Sequence, residues 1–466
     1  MERRRWVARF AAVLLVIAFW LSRVAGAEDQ PWPPPLKGAV NGTATLETDL
    51  FLKVPEAVQA AAQKEGATPF VVAKTPPTVD LAFHGSLPNQ ALNGTGWSSW
   101  GDICVASDGK VYCGIGDHGD DAGGNSYCFI YQWDPQGKIL RQVVDMRRVV
   151  EPQPGQPTFS KVHARIDEGP DGKVYFSCTL NDGNAAQQPQ YKWTDRLPGG
   201  QLYQFDPATG QTVVFANLPP VHCTATSLLD RQRNIWWCNL EAGPNGLRAF
   251  DLAAGKELYR APEGSMAFNR NFALASDGAI YFNGPGGRIW KCDGQKKQIS
   301  PTQSVFPSSA GMRASTGESK DGWVYGSTMG TNQLFRYSPA RDRLEMLGTN
   351  FAGGEYTTVC ALSPDERFVY FCPGAHGGAV GMGTPLVQYE IATGRRKVIA
   401  FLREAFEKHF DYVPGGTYGV KLSADGSTLY VNLNGHAGDA IRPKGMGPTG
   451  FGLTALAAVH IPAGER

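Results

Sequence analysis

Small and apolar residues, then an Asp-Gly-like turn, then a β-branched and aromatic run: this order recurs along the chain. It is seen in "DICVASDGKVYCGIG" (102–116), "ARIDEGPDGKVYFSCTL" (164–180), "TSLLDRQRNIWWCNL" (226–240) and "NFALASDGAIYFNGP" (271–285). It continues in "ASTGESKDGWVYGST" (314–328), "TVCALSPDERFVYFCPG" (358–374) and "GVKLSADGSTLYVNLNG" (419–435), making seven copies. Each reads as a hairpin, because Asp-Gly favours a two-residue turn whose twist matches the paired strands. Most copies are followed by a weaker second hairpin, as in "GQLYQFDPATGQTVVFA" and "PLVQYEIATGRRKVIAF". Two hairpins make a four-stranded sheet, and the repetition predicts an all-β fold, a seven-bladed β-propeller. The last copy ends one strand short after "TALAAVHIP", and "PTVDLAF" (77–83) is expected to supply the missing outer strand. The propeller is thus expected over 77–466, after a lead-in over 28–76 with a short helix at "PEAVQAAAQKEG".

Residues 1–27 follow another pattern. They have an arginine-rich start, an apolar stretch from Phe10 to Leu21, and small residues at Ala25, Gly26 and Ala27. This is the anatomy of a cleaved secretory signal peptide. The apolar stretch falls short of the roughly 20 residues that span a bilayer. The expected location is therefore secreted or periplasmic, with no membrane span after cleavage. Net charge is +1 and no basic stripe is present, so nucleic acid is not an expected partner. No C-x-x-C-H occurs, which excludes covalently attached haem. Of nine cysteines, the two-residue turn places Cys104 opposite Cys113, and similar counting brings Cys360 near Cys372. Such pairs are either cross-strand bridges or small buried residues in crowded inner strands.

In a propeller, the start of each blade's first strand and the loop after its second open on one face. His118, His376 and His436 follow the second strands of copies one, six and seven. His163 begins the first strand of copy two, and His222 precedes that of copy three. Five of the eight histidines are thus expected on one rim, while His84, His409 and His460 fall outside the pattern and read as structural. Trp100, Asn269, Arg270, Arg313, Tyr356 and Tyr418 enter the channel beside them, with Arg165 on the same side of its strand as His163. Polar groups lining a mouth do not build a core, so a functional pocket is expected there.

Histidine and tyrosine suit proton transfer, and arginine grips a carboxylate with two parallel hydrogen bonds. Together they describe cleavage of a uronate-containing polysaccharide by β-elimination. The expected catalytic set is His163 or His222 as base, Tyr418 as acid, and Arg165 or Arg313 on the carboxylate. Asn269, Arg270, Tyr356 and Trp100 are expected to bind substrate, with Tyr191 and Trp193 of an expanded loop stacking on sugar rings. The five rim histidines, His118, His163, His222, His376 and His436, form the pool for a divalent metal ion that would neutralise the same carboxylate. A non-catalytic propeller binding a glycan or a protein through this face is the alternative, with a lactonase-type hydrolase the lesser one. Oligomeric state is not legible.

The pattern "DGKVYF" followed by "YQFDPATGQ" resembles the propeller superfamily that contains the gluconolactonase/senescence-marker proteins, the NHL-repeat proteins and streptogramin lyase. The resemblance covers almost all of the mature chain and implies a fold more than an activity. The acidic-plus-asparagine metal set of the gluconolactonases has no match at these rim positions. Secreted seven-bladed oligogalacturonate and ulvan lyases are similar in architecture and in presenting His, Tyr and Arg at the mouth, which implies an elimination mechanism. "PLVQYEIATGRRKVIAFL" with the ending "LAAVHIP" also looks like exported propeller proteins of environmental bacteria.

Overall fold

Seven sheets, each built on four antiparallel strands wound from the inner strand outward, account for nearly all of the regular structure. The computed structural model describes residues 32–466 except 86, 89–95, 118–124, 181–199, 219–222, 242–245, 263, 267–268, 308–310, 353 and 443–450. Blade one runs Cys104–Val105, Val111–Gly116, Cys128–Asp134 and Ile139–Asp145. Blades two to five repeat this four-stranded order, so the fold is the seven-bladed β-propeller that the repeats predict. Between successive blades lie seven clusters of buried apolar residues, one per junction. Trp133, Trp236 and Trp237 sit almost fully buried among them, so each wedge is held chiefly by apolar burial.

The N-terminal segment does more than lead in. Thr78–Phe83 pairs antiparallel with Ala455–His460 and becomes the outer strand of blade seven, as expected. Thr43–Glu47 adds a further strand outside it, and Val71–Val72 pairs in parallel with Arg396–Phe401 of blade six. Burial alone would raise the Asp80 carboxyl. Hydrogen bonds from His460, Lys138 and Thr45 instead hold it at about 2. Lys138, 2.7 Å from Asp80, belongs to the outer hairpin of blade one, so this ion pair ties the two ends of the ring together.

The hairpin turns differ from the expected two-residue form. In blade one the Gly109 amide donates to the Ala106 carbonyl, while the Ala106 amide donates to Lys110. The loop therefore holds three residues, and Gly109 closes it at φ 84°, a conformation that costs glycine little. One extra residue shifts the register by one and reverses every side chain beyond it. Cys104 consequently faces Tyr112, and Cys113 points to the other side of the sheet. In blade six Ala361 faces Tyr370, which likewise puts Cys360 and Cys372 on opposite faces. Neither expected pair can bridge, and no disulfide joins the eight cysteines whose side chains are described.

The three histidines outside the rim pattern have structural partners or surroundings. His84 is fully buried, with Nε2 3.3 Å from the Cys113 sulfur, and burial lowers it to about 4. His460 lies 2.8 Å from Asp80, and His409 sits in the last turn of the helix Leu402–Phe410.

Candidate functional site

One indole organises the channel mouth. Trp100 enters blade one just after Ser98, whose hydroxyl accepts its ring N–H at 2.7 Å. Around Trp100 stand His163 of blade two at 6.3 Å, His376 of blade six at 5.2 Å and Tyr418 of blade seven at 5.0 Å between centroids. Phe451 stacks on it at 5.4 Å, and the Lys161 ammonium lies 5.2 Å over it. The loop carrying His376 can approach the strand carrying Tyr418 because residue 416 is glycine. A Cβ there would lie 2.2 Å from the Gly374 carbonyl oxygen. His376 itself is held at φ 54°, an uncommon conformation for a residue with a side chain.

Two arginines complete the mouth. Arg270, at the entry to blade four, reaches across to donate through Nη1 to His163 Nε2 and through Nη2 to the Trp100 carbonyl at 3.1 Å. Arg313, in the first strand of blade five, is only 2 % exposed. Its Nε donates to the Tyr356 hydroxyl and its Nη1 to the Thr358 carbonyl at 2.8 Å. It lies 5.2 Å from the Tyr356 ring and 5.7 Å from that of Tyr418. No carboxylate pairs with Arg313 among the described residues, and its Nη2 carries no hydrogen bond there.

Below this layer the charges are balanced. Arg165 lies 3.1 Å from Asp167, and Lys421 is paired with Asp102, which also accepts from the Ile103 amide at 2.9 Å. Burial keeps the Asp167 carboxyl above its usual range despite Arg165 and Lys421 nearby. The cavity enclosed between these layers measures about 30 Å³. That is room for two or three waters, at roughly 10–15 Å³ each. A sugar ring does not fit inside this cavity.

The mouth can bind an anion and move a proton. The Tyr418 hydroxyl is hydrogen-bonded to His376 Nε2. Burial of the imidazole, followed by the charges of Arg313 and Arg270, lowers the His376 pKa and favours the neutral ring. Burial raises the Tyr418 pKa, with Arg313 and Arg270 opposing. The phenol is thus protonated beside a neutral acceptor. His163 differs. Its Nε2 lone pair accepts from Arg270, so it cannot serve as a base without releasing that guanidinium.

The structure therefore sorts the expected residues. Trp100, His163, Arg270, Arg313, Tyr356, His376 and Tyr418 come together. Arg165 is occupied one level lower by Asp167, which leaves Arg313 as the carboxylate candidate. Asn269 is a correction: its amide donates to the Asn283 carbonyl at 3.0 Å and accepts from the Asn283 amide at 2.7 Å. Both ends of that amide brace blade four internally rather than facing a ligand. His436 bonds its neighbour's carbonyl, at Ala437, and is not drawn to the Trp100 cluster. His118, His222, Tyr191 and Trp193 lie outside the described residues, as do residues 1–27.

The described members of the donor set, His163, His376 and His436, do not form a metal site. Among the described residues no three His, Cys, Asp or Glu side chains are grouped to hold an ion. The Nε2 atoms of His163 and His376 are directed at Arg270 and Tyr418. A cation beside two guanidinium groups would be repelled, whereas an anion would be drawn in.

Lys161 and Phe451 were not anticipated. Lys161 had a signal, since it lies two positions before His163 in the segment that enters blade two. Phe451 had none, because the sequence before it shows no strand periodicity.

No protein-family model matches the chain, and no curated protein matches its sequence. Among solved structures, it is similar to a catalytically inactive virginiamycin B lyase from Staphylococcus aureus solved with quinupristin. That likeness has 14 % identity and a TM-score of 0.47 over 81 % of this chain and 99 % of the other. A chain of the mitotic checkpoint complex is similar with 11 % identity and a TM-score of 0.48, over 84 % and 99 % respectively.

Proposed function

We propose that this protein is an exported carbohydrate-active lyase that cleaves uronate-containing polysaccharide by β-elimination at the channel mouth. The observation that carries the reading is Arg313, a guanidinium 2 % exposed with no carboxylate partner among the described residues. A buried charge without a counter-ion is costly, and a substrate carboxylate would supply what is missing. In this reading the carboxylate docks on Arg313 Nη2, which acidifies the neighbouring C–H. Tyr418 turns its hydroxyl to the glycosidic oxygen and frees His376 Nε2. His376 removes the carbon-bound proton, the C–O bond breaks, and the Tyr418 proton goes to the leaving oxygen. The proton then passes from His376 to Tyr418 along their hydrogen bond, which restores both groups. Trp100 and Phe451 offer a face for a sugar ring.

Incubation with a panel of uronate polymers tests this. Elimination creates a conjugated double bond that absorbs in the ultraviolet, and hydrolysis does not. The expected result is a rising signal that Tyr418→Phe and His376→Ala each abolish. No signal from any polymer, with one of them retained on an affinity gel, would replace the lyase by a non-catalytic glycan-binding propeller.

A further inference from the structure

The cysteine pairs that hairpin counting suggests are out of step, but another pair meets across blades. Cys128 opens the third strand of blade one, opposite Gly116, and Cys178 follows the second strand of blade two. Their sulfurs lie 3.7 Å apart and both residues are fully buried, in the cluster that joins these blades. The two positions are 50 residues apart in sequence, so this is a long-range contact. Both lie at the end of their blades that carries the channel mouth, because each adjoins the close of a second strand. Cys178 immediately precedes Thr179, which is bridged to Lys161, and His163 is two residues further.

We propose that Cys128 and Cys178 are a disulfide site, a covalent staple between blades one and two. The inference stands apart from the lyase reading. Sulfurs 3.7 Å apart are already in van der Waals contact, one short approach from bonding distance. Because both are inaccessible once the blades have packed, the bond forms during folding, while the thiols can still ionise. One thiolate attacks an external disulfide, such as that of a thiol oxidoreductase or oxidised glutathione, and displaces one of its sulfurs as a thiolate. The second cysteine then displaces the other. Two thiols become one disulfide, and their two protons pass through solvent to the displaced thiolates, so that the external disulfide is reduced to two thiols. The staple fixes the separation of Trp100 on blade one from Lys161 and His163 on blade two.

The test is refolding of the fully reduced, denatured full-length protein in a glutathione buffer poised like an oxidising compartment. Thiols are then blocked under denaturing conditions without reductant and the peptides mapped by mass spectrometry. One dominant linkage joining the Cys128 and Cys178 peptides is expected, with a melting temperature a few degrees higher than that of the reduced protein. Blocked thiols at both positions, or linkages scattered among other cysteines, would overturn the proposal. Cys178→Ser should remove the linkage and the melting difference. If that variant does not fold, the map of the unaltered chain still decides.

Discussion

Arg313 is where the chemistry of the mouth concentrates. Its buried guanidinium meets a phenol, a carbonyl and two aromatic faces, none of which carries the charge it would pair with. Replacement by methionine keeps much of the volume and removes the charge. Loss of an interaction that grows toward the transition state costs on the order of 10²-fold in rate, and this is the expected fall in kcat/KM on uronate polymer. The variant also bears on His376. The acid limb of the wild-type kcat/KM profile reports the free enzyme's base. It should lie below the ordinary histidine value of 6.5, because burial, then Arg313, then Arg270 disfavour the imidazolium. Activity is then held as pH falls past 6.5 and lost only at the lower pKa. Arg313→Met removes one of those causes, so its residual activity should show an acid limb moved up toward 6.5. A limb that stays in place would take His376 out of the base's role.

Within the blades, paired asparagine clasps set how inner strands meet. Asn283, at the end of blade four's second strand, accepts from the Met312 amide at 2.8 Å and donates to the Met312 carbonyl at 2.8 Å, the first residue of blade five's inner strand. Asn434 treats Ser99 likewise between blades seven and one. Asn283→Ala leaves two buried backbone groups without partners, each costing about 1–3 kcal/mol. Urea unfolding should show a loss of roughly 2–6 kcal/mol, beyond that of an exposed replacement such as Gln295→Ala, and equal midpoints would refute the clasp. These elements also show what the sequence reveals. Blade number and the rim positions of His163, Arg270, Arg313 and Tyr418 follow from the Asp-Gly spacing, because that signal is local. In blade one the loop holds one residue more than a two-residue turn, which sets Cys104 opposite Tyr112 instead of Cys113. In blade six Ser363 pairs with Phe368 and leaves Cys360 and Cys372 one position out of step. Neighbours on a strand face opposite ways, yet the sequence does not say which faces the channel. The pattern therefore points to Asn269 as a ligand beside Arg270, whereas its amide braces Asn283. The contact of Cys128 with Cys178 spans two blades, so no local count could find it.

At the scale of the ring, closure depends on a segment far from the strands it completes. Blade seven receives its outer strand from Thr78–Phe83, and Asp80 on that strand is 1 % exposed, bonded to His460 within the blade and Lys138 across to blade one. Thr43 reinforces the same seam by donating to the Lys138 carbonyl at 2.6 Å. The Asp80 pKa is lowered from 3.8 to about 2, so the folded state favours the carboxylate. Its contribution is fully present above the unfolded value of 3.8 and is lost as pH falls toward 2. By linkage that contribution is about 2 kcal/mol. Asp80→Asn should therefore destabilise the protein at neutral pH by at least this amount, because Lys138 and His460 also lose an anionic acceptor. Between pH 4 and pH 2 the variant's stability should fall less steeply than that of the unaltered chain, since one carboxylate no longer titrates. Parallel stability curves for the two over that interval would mean that the seam is held by strand pairing and apolar burial alone, with the ion pair contributing nothing to ring closure.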